Sequence, residues 1–186
     1  TPFVSSLQGA GREADVQRVL VRGSSLASIV ALPIVITFLT RGTSFIDLWM
    51  GPEYGGLSGQ VLSILALSLW TGSSFQVTTA TMLGVGRHRG LVPVFVCEAV
   101  CNVALCVALI GPMGIVGVAW GTTIPRLVVS LFLGPWYARR TLGIPLRTFW
   151  TAAFLLPPLA MVPFALASYF IESLWPASNL VVYFAQ

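Results

Sequence analysis

The chain has 186 residues, of which 56% are hydrophobic and 9% charged, with a formal net charge of +4 and a mean hydropathy of +0.87. Soluble domains carry about 25% charged residues, and a water-soluble globule of this size has too little interior for so much apolar side chain. Disordered chains are poor in apolar residues and rich in charge, so both classes are excluded and a membrane protein is left. All ten basic residues are arginine. Every positive charge is therefore permanent and offers a planar fork to carboxylate or phosphate.

In chain order, residues 1–23 come first. They contain Arg12, Glu13, Asp15, Arg18 and Arg22 and lack the apolar core of a signal peptide. Val16, Val19 and Leu20 recur at helical spacing with Arg18 and Arg22 on another face. This segment is either a short helix lying at the membrane interface or a solvated cytoplasmic loop. A membrane helix needs ~20 mostly apolar residues. Five stretches qualify, near 24–47, 60–85, 91–110, 114–137 and 148–171, and a truncated sixth begins near 176 and runs to 186. The expectation is an all-α, polytopic integral membrane helical bundle over 24–186. The chain opens on Thr1 and stops inside the apolar run Leu180–Gln186, so a fragment of a longer protein is expected. Cys97, Cys101 and Cys106 have neither a zinc spacing nor a disulfide pattern. They are expected to be small buried residues on one helix.

The linkers are short and built from turn formers: Gly51-Pro-Glu-Tyr-Gly-Gly56, Arg87-His-Arg-Gly90, Gly111-Pro-Met-Gly114 and Gly143-Ile-Pro145. Neighbouring spans must then be antiparallel and the loops must alternate sides. One side collects Arg12, Arg18, Arg22, Arg87, Arg89, Arg139, Arg140 and Arg147. The other holds Asp47, Glu53 and Glu172, with Arg41 near its border. By the positive-inside rule the arginine side, residues 1–22, 86–90 and 138–147, is expected to face the cytoplasm.

Several local patterns carry a resemblance. They are Thr1-Pro-Phe-Val-Ser-Ser-Leu7, Ala31-Leu-Pro-Ile34, Leu48-Trp-Met-Gly-Pro-Glu-Tyr54, Leu83-Gly-Val-Gly-Arg-His-Arg89, and Asn102 followed by Gly114-Ile-Val-Gly-Val-Ala-Trp-Gly-Thr122. In order and spacing, over nearly the whole chain, they resemble the C-terminal half of polysaccharide and O-antigen flippases of the multidrug/oligosaccharidyl-lipid/polysaccharide exporter superfamily. The resemblance implies part of the C-terminal lobe of a MATE-like fold in the plasma membrane, with these spans as the ninth to thirteenth helices and the fourteenth begun. It also implies a polyprenyl-pyrophosphate-linked glycan as substrate, membrane lipids as surroundings, and no cofactor, metal or nucleic acid.

Charge inside a membrane is the best indicator of a site because each such residue is costly to insert. Glu98 and Arg126 both lie roughly 10–12 Å deep from the arginine side, at 1.5 Å of rise per residue. Glu98, Asn102 and Cys106 share one helix face, and Thr122, Arg126 and Ser130 share another. The two faces either pin their helices together or line a wet cavity. In the cavity case Arg126 would attract an anionic head group, and Glu98 would release it or titrate as a coupling site. Pro125 marks either a hinge beside that charge or a packing kink. Gln76, on a face with Ser68, Gly72 and Thr79, either lines the cavity or bonds a neighbouring helix. Arg41 either snorkels to the interface or faces the cavity exit. Gly114, Gly117 and Gly121 suggest close helix contact, and Pro157, Pro158 and Pro163 make the fifth span the most irregular. His88 is alone, and no nucleophile–base set, metal cluster or phosphate loop is visible. The expectation is therefore a transporter rather than an enzyme. The alternatives are a multidrug or cation exporter of the same fold and a polytopic membrane enzyme of polysaccharide assembly.

Overall fold

The computed structural model describes residues 2–185, and every regular element among them is helical. The order is α1 (Pro2–Gly9), α2 (Glu13–Met50), α3 (Pro52–Gly84), a 3-10 turn (Arg89–Leu91), α4 (Val92–Val128), a π-turn (Val129–Leu133), α5 (Gly134–Leu142), α6 (Leu146–Trp150), a second π-turn (Thr151–Leu155), α7 (Leu156–Ala160), α8 (Val162–Leu174) and α9 (Leu180–Ala185). Four helical runs are long and apolar enough to cross a membrane: Glu13–Met50, Pro52–Gly84, Arg89–Leu142 and Leu146–Leu174.

The first run is longer than the stretch expected at 24–47. Residues 13–23 are helical and continuous with the rest of that run. They are the first turns of α2, whose opening carries Glu13 and Asp15, acids that complement the positive end of a helix. Val16 and Leu20 are fully buried, Val16 against Val4 and Leu7 of α1. At 38 residues α2 is about 57 Å long, well beyond a hydrocarbon core of ~30 Å, so a good part of it stands outside that core.

Gly51, at φ 114°, ends α2, and Pro52 opens α3 at the position where a missing N–H costs nothing. The two helices pack antiparallel and closely because small residues face each other. A Cβ on Gly59 would lie 2.7 Å from Thr43 Oγ1, and one on Gly23 would lie 3.0 Å from Val77.

The third run is helical throughout except at Gly114, where φ is 59° and ψ −139°. A side chain resists that backbone. The chain doubles back there, and its two arms touch. The amide nitrogen of Cys106 would be 2.6 Å from a Cβ on Gly121, and a Cβ on Gly117 would overlap the Leu109 carbonyl. The stretches expected at 91–110 and 114–137 are thus two arms of one hairpin. Only one side of its first arm is covered, so Val96, Val100, Val103 and Val107 form an exposed apolar stripe. The same geometry leaves Cys97 and Cys101 exposed and Cys106 half-buried, which corrects the expectation of three buried cysteines.

The third and fourth runs each contain a π-turn, Val129–Leu133 and Thr151–Leu155, and each turn ends two residues before a proline, Pro135 and Pro157. Proline has no N–H and its ring presses on the carbonyl four residues back, and a wider turn makes room for it. The carbonyl that Pro157 leaves without its helical partner is that of Ala153. The hydroxyl of Ser28 donates to it at 2.7 Å and lies 2.8 Å from Ser74 Oγ. Ser74 Oγ in turn donates to the Ser24 carbonyl at 3.2 Å. These fully buried serines join α2, α3 and the second π-turn.

The largest apolar cluster, Leu20, Met82, Leu91, Ile144, Phe149 and Phe154 among its members, gathers at the end where α2 starts and α3 stops. Gln17 donates to the Leu142 carbonyl at 2.6 Å, Arg87 to the Thr141 carbonyl at 2.5 Å, and Tyr137 to the Arg87 carbonyl at 2.7 Å. The segments that bear the eight arginines therefore meet at one end of the molecule. Replacing Gly117 by Ala is expected to cost about 2 kcal/mol through overpacking in the hairpin. Gly111→Ala, with nothing within 4 Å of its new methyl, is expected to be near neutral. Reversible unfolding of the two variants in detergent compares them directly.

Candidate functional site

The hairpin places Glu98 on its first arm opposite Arg126 on its second. Arg126 Nη1 donates to Glu98 Oε1 at 3.1 Å, with side-chain exposures of 25% and 15%. The guanidinium carbon lies 5.5 Å from the centroid of Phe75 on α3, a cation–π distance. Gly72 lets the group lie close: a Cβ there would sit 3.0 Å from Arg126 Nε. Thr123, one turn earlier, donates to the Ile64 carbonyl at 3.3 Å and ties this arm to α3.

The pair divides two grooves. On one side Arg126 joins Gln76, Ser73, Ser68 and Phe38 around an open groove of about 480 Å³ between α2, α3 and the hairpin. On the other, Glu98 joins Cys97, Cys101 and Pro125 in an almost wholly apolar groove of about 190 Å³. One ion pair thus faces, with its cation, a groove where Leu62, Leu65 and Leu69 are mixed with a few polar side chains, and, with its carboxylate, an almost wholly apolar one. The exposed Gln76 reaches the first groove, as do Ser68 and Gly72 of the same face, whereas Thr79 donates within its own helix to the Phe75 carbonyl at 3.0 Å.

Asn102 lines neither groove. Its Oδ1 accepts a weak bond from the Cys106 thiol at 3.6 Å, and the same sulfur lies 3.7 Å from Thr122 Oγ1. That Asn102 contact stays on its own arm, and it is the Cys106 thiol that reaches across the hairpin, to the Val118 carbonyl and to Thr122. Pro125 is buried, and the backbone through it stays helical. The departures from the α-helix lie at Gly114 and in the π-turn that begins four residues further on, at Val129. Ser130, on the Arg126 face, is buried and its hydroxyl has no partner among the described residues.

Arg41 is turned into the protein. Its side chain is 4% exposed and its Nε donates to Glu172 Oε2 of α8 at 2.7 Å. Ser44 donates to the other carboxylate oxygen. Its guanidinium carbon sits 4.3 Å from the centroid of the Tyr183 ring on α9, and the Tyr183 hydroxyl donates to the Arg41 carbonyl at 3.3 Å. Thr40 and Ser168 pair beside it at 2.7 Å. Sequence reasoning placed Arg41 and Glu172 at the same end but treated them separately. The available signal was complementarity: one arginine and one acid, each isolated in apolar sequence, near the same membrane border.

Breaking a buried ion pair from one side leaves an uncompensated charge, a loss of about 3 kcal/mol or more. Arg41→Ala is therefore expected to lower the unfolding midpoint in detergent strongly. Arg41→Met combined with Glu172→Leu should recover most of the loss, and comparing wild type, Arg41→Met, Glu172→Leu and the double variant isolates the pair. Compared with known proteins, the chain matches no protein-family model, no curated protein and no solved structure, so the functional reading rests on its own residues.

Proposed function

We propose that this chain is part of a membrane transporter, a flippase that carries a lipid-linked oligosaccharide across the plasma membrane by alternating access for polysaccharide biosynthesis. The observation that carries the reading is the Glu98–Arg126 pair, deep in apolar helices, with its arginine on a groove lined by Ser68, Ser73 and Gln76. Charges of this kind are costly to insert and mark substrate or ion pathways. Arginine suits a pyrophosphate because its planar fork binds two oxygens at once. Glu98 holds the guanidinium in place until an anionic group competes for it. A multidrug or cation exporter would be served by an acid alone; an arginine on a groove that mixes leucines with Ser68, Ser73 and Gln76 favours an anionic, lipid-bearing cargo.

In this reading the hairpin supplies two crossings, so the chain has five spans plus the start of a sixth, arranged as part of the C-terminal lobe of a MATE-like fold. The eight-arginine end lies in the cytoplasm, and the Arg41–Glu172 cluster lies near the outer surface. The groove of Arg126 is open and lies between α2, α3 and the hairpin, so that a lipid carrier tail can remain in the bilayer while its head group enters. Catalysis is not part of the proposal.

The test is Arg126→Ala in cells. Surface polysaccharide should fall to background while the protein still accumulates in the membrane, and Arg126→Lys should keep part of the activity. Normal surface polysaccharide with Arg126→Ala would remove the role assigned to the residue.

A further inference from the structure

At the arginine-rich end, Arg18 and Arg22 stand one turn apart on the exposed face of α2 and line two neighbouring grooves. The first, about 430 Å³, has Arg12 at its mouth and Leu7, Val19 and Leu26 as apolar walls. The second, about 290 Å³, runs towards Ile144, Pro145 and Thr148, with Gln17 on its rim. The charge here is only partly neutralised. Asp15 accepts from Arg12 at 2.6 Å and from Arg18 at 2.8 Å. Among the described residues no carboxylate lies within 4.0 Å of Arg22. Glu13 is on the preceding turns of α2 but lines neither groove. Three arginines against one aspartate leave a local charge of +2.

What lies beside this charge is apolar. Leu26, one turn or about 6 Å further along the helix, is 61% exposed, and Val30 beyond it is 72% exposed. A cationic ridge followed by exposed aliphatic side chains matches a molecule with a phosphate at one end and hydrocarbon at the other. Basic side chains where a helix leaves the bilayer attract anionic lipid, and guanidinium binds phosphate with two parallel bonds.

We infer that Arg18 and Arg22 form a binding site for an anionic glycerophospholipid of the surrounding bilayer, phosphate on the ridge and acyl chain along Leu26 and Val30. The site is separate from the Glu98–Arg126 pair and does not depend on the transport reading.

Native mass spectrometry of the purified chain, titrated with phosphatidylglycerol or phosphatidylcholine, tests it. Phosphatidylglycerol should bind more tightly. Arg18→Gln with Arg22→Gln should weaken that binding about 30-fold, the combined effect of two basic groups at a membrane surface, and leave phosphatidylcholine binding unchanged. The pair Arg139→Gln and Arg140→Gln, at the same end of the molecule, should stay near wild type. Equal affinity for the two lipids, or an equal loss in the Arg139/Arg140 variant, would overturn the site in favour of diffuse charge attraction. Displacement of the lipid by inorganic phosphate at the concentration of its own head group would assign the arginines to a soluble anion instead.

Discussion

Inside hydrocarbon no water is present to satisfy a polar group, so the chain must satisfy its own. That constraint explains features that otherwise look unrelated. Pro157 strands the carbonyl of Ala153, and Ser28 answers it from another helix. Thr37, Thr40, Thr71 and Thr81 turn their hydroxyls back to carbonyls of their own helices. Arg41 and Glu172 lie close enough to the interior to need each other, and Ser44 and Tyr183 fill the remaining positions around them. The polar groups of this protein are few, and most are placed where a neighbour would otherwise go unpaired.

The two embedded ion pairs meet the constraint differently. Arg41–Glu172 is closed: its arginine is almost inaccessible and ringed by partners from three helices. Glu98–Arg126 is held by a single bond of 3.1 Å and keeps part of each side chain exposed to a groove. A closed pair stabilises packing; an open one can exchange partners. The distinction rests on the arginines, 4% exposed in the first pair and 25% in the second, and not on the carboxylates, and it puts the candidate site at the second pair.

Much of this was legible in the sequence, because the period and length of apolar runs follow from the thickness of the bilayer. Spacing along two helices placed Glu98 and Arg126 at equal depth, and Gly114, Gly117 and Gly121 marked the close approach that lets them meet. The extent of α2 was not legible, since Val16 is buried by α1 and Leu20 by Met82, Ile144 and Phe149, segments distant in sequence. Nor was the exposure of Cys97 and Cys101, because a helix face in lipid and one in a protein core have the same composition. The pairing of Arg41 with Glu172 was not legible either, because the partner lies 131 residues away, beyond any local pattern.

The reversal at Gly114 also bears on the order in which the protein assembles. Glu98 and Arg126 are 28 residues apart on adjoining arms, so they meet as soon as one hairpin has formed. The entropy of closing such a loop is small and is met early. The Arg41–Glu172 contact spans 131 residues and closes only after all of them have been made. The hairpin can enter the bilayer with its two opposite charges already neutralised, at less cost than either would incur alone, whereas Arg41 must wait in the membrane border until α8 arrives.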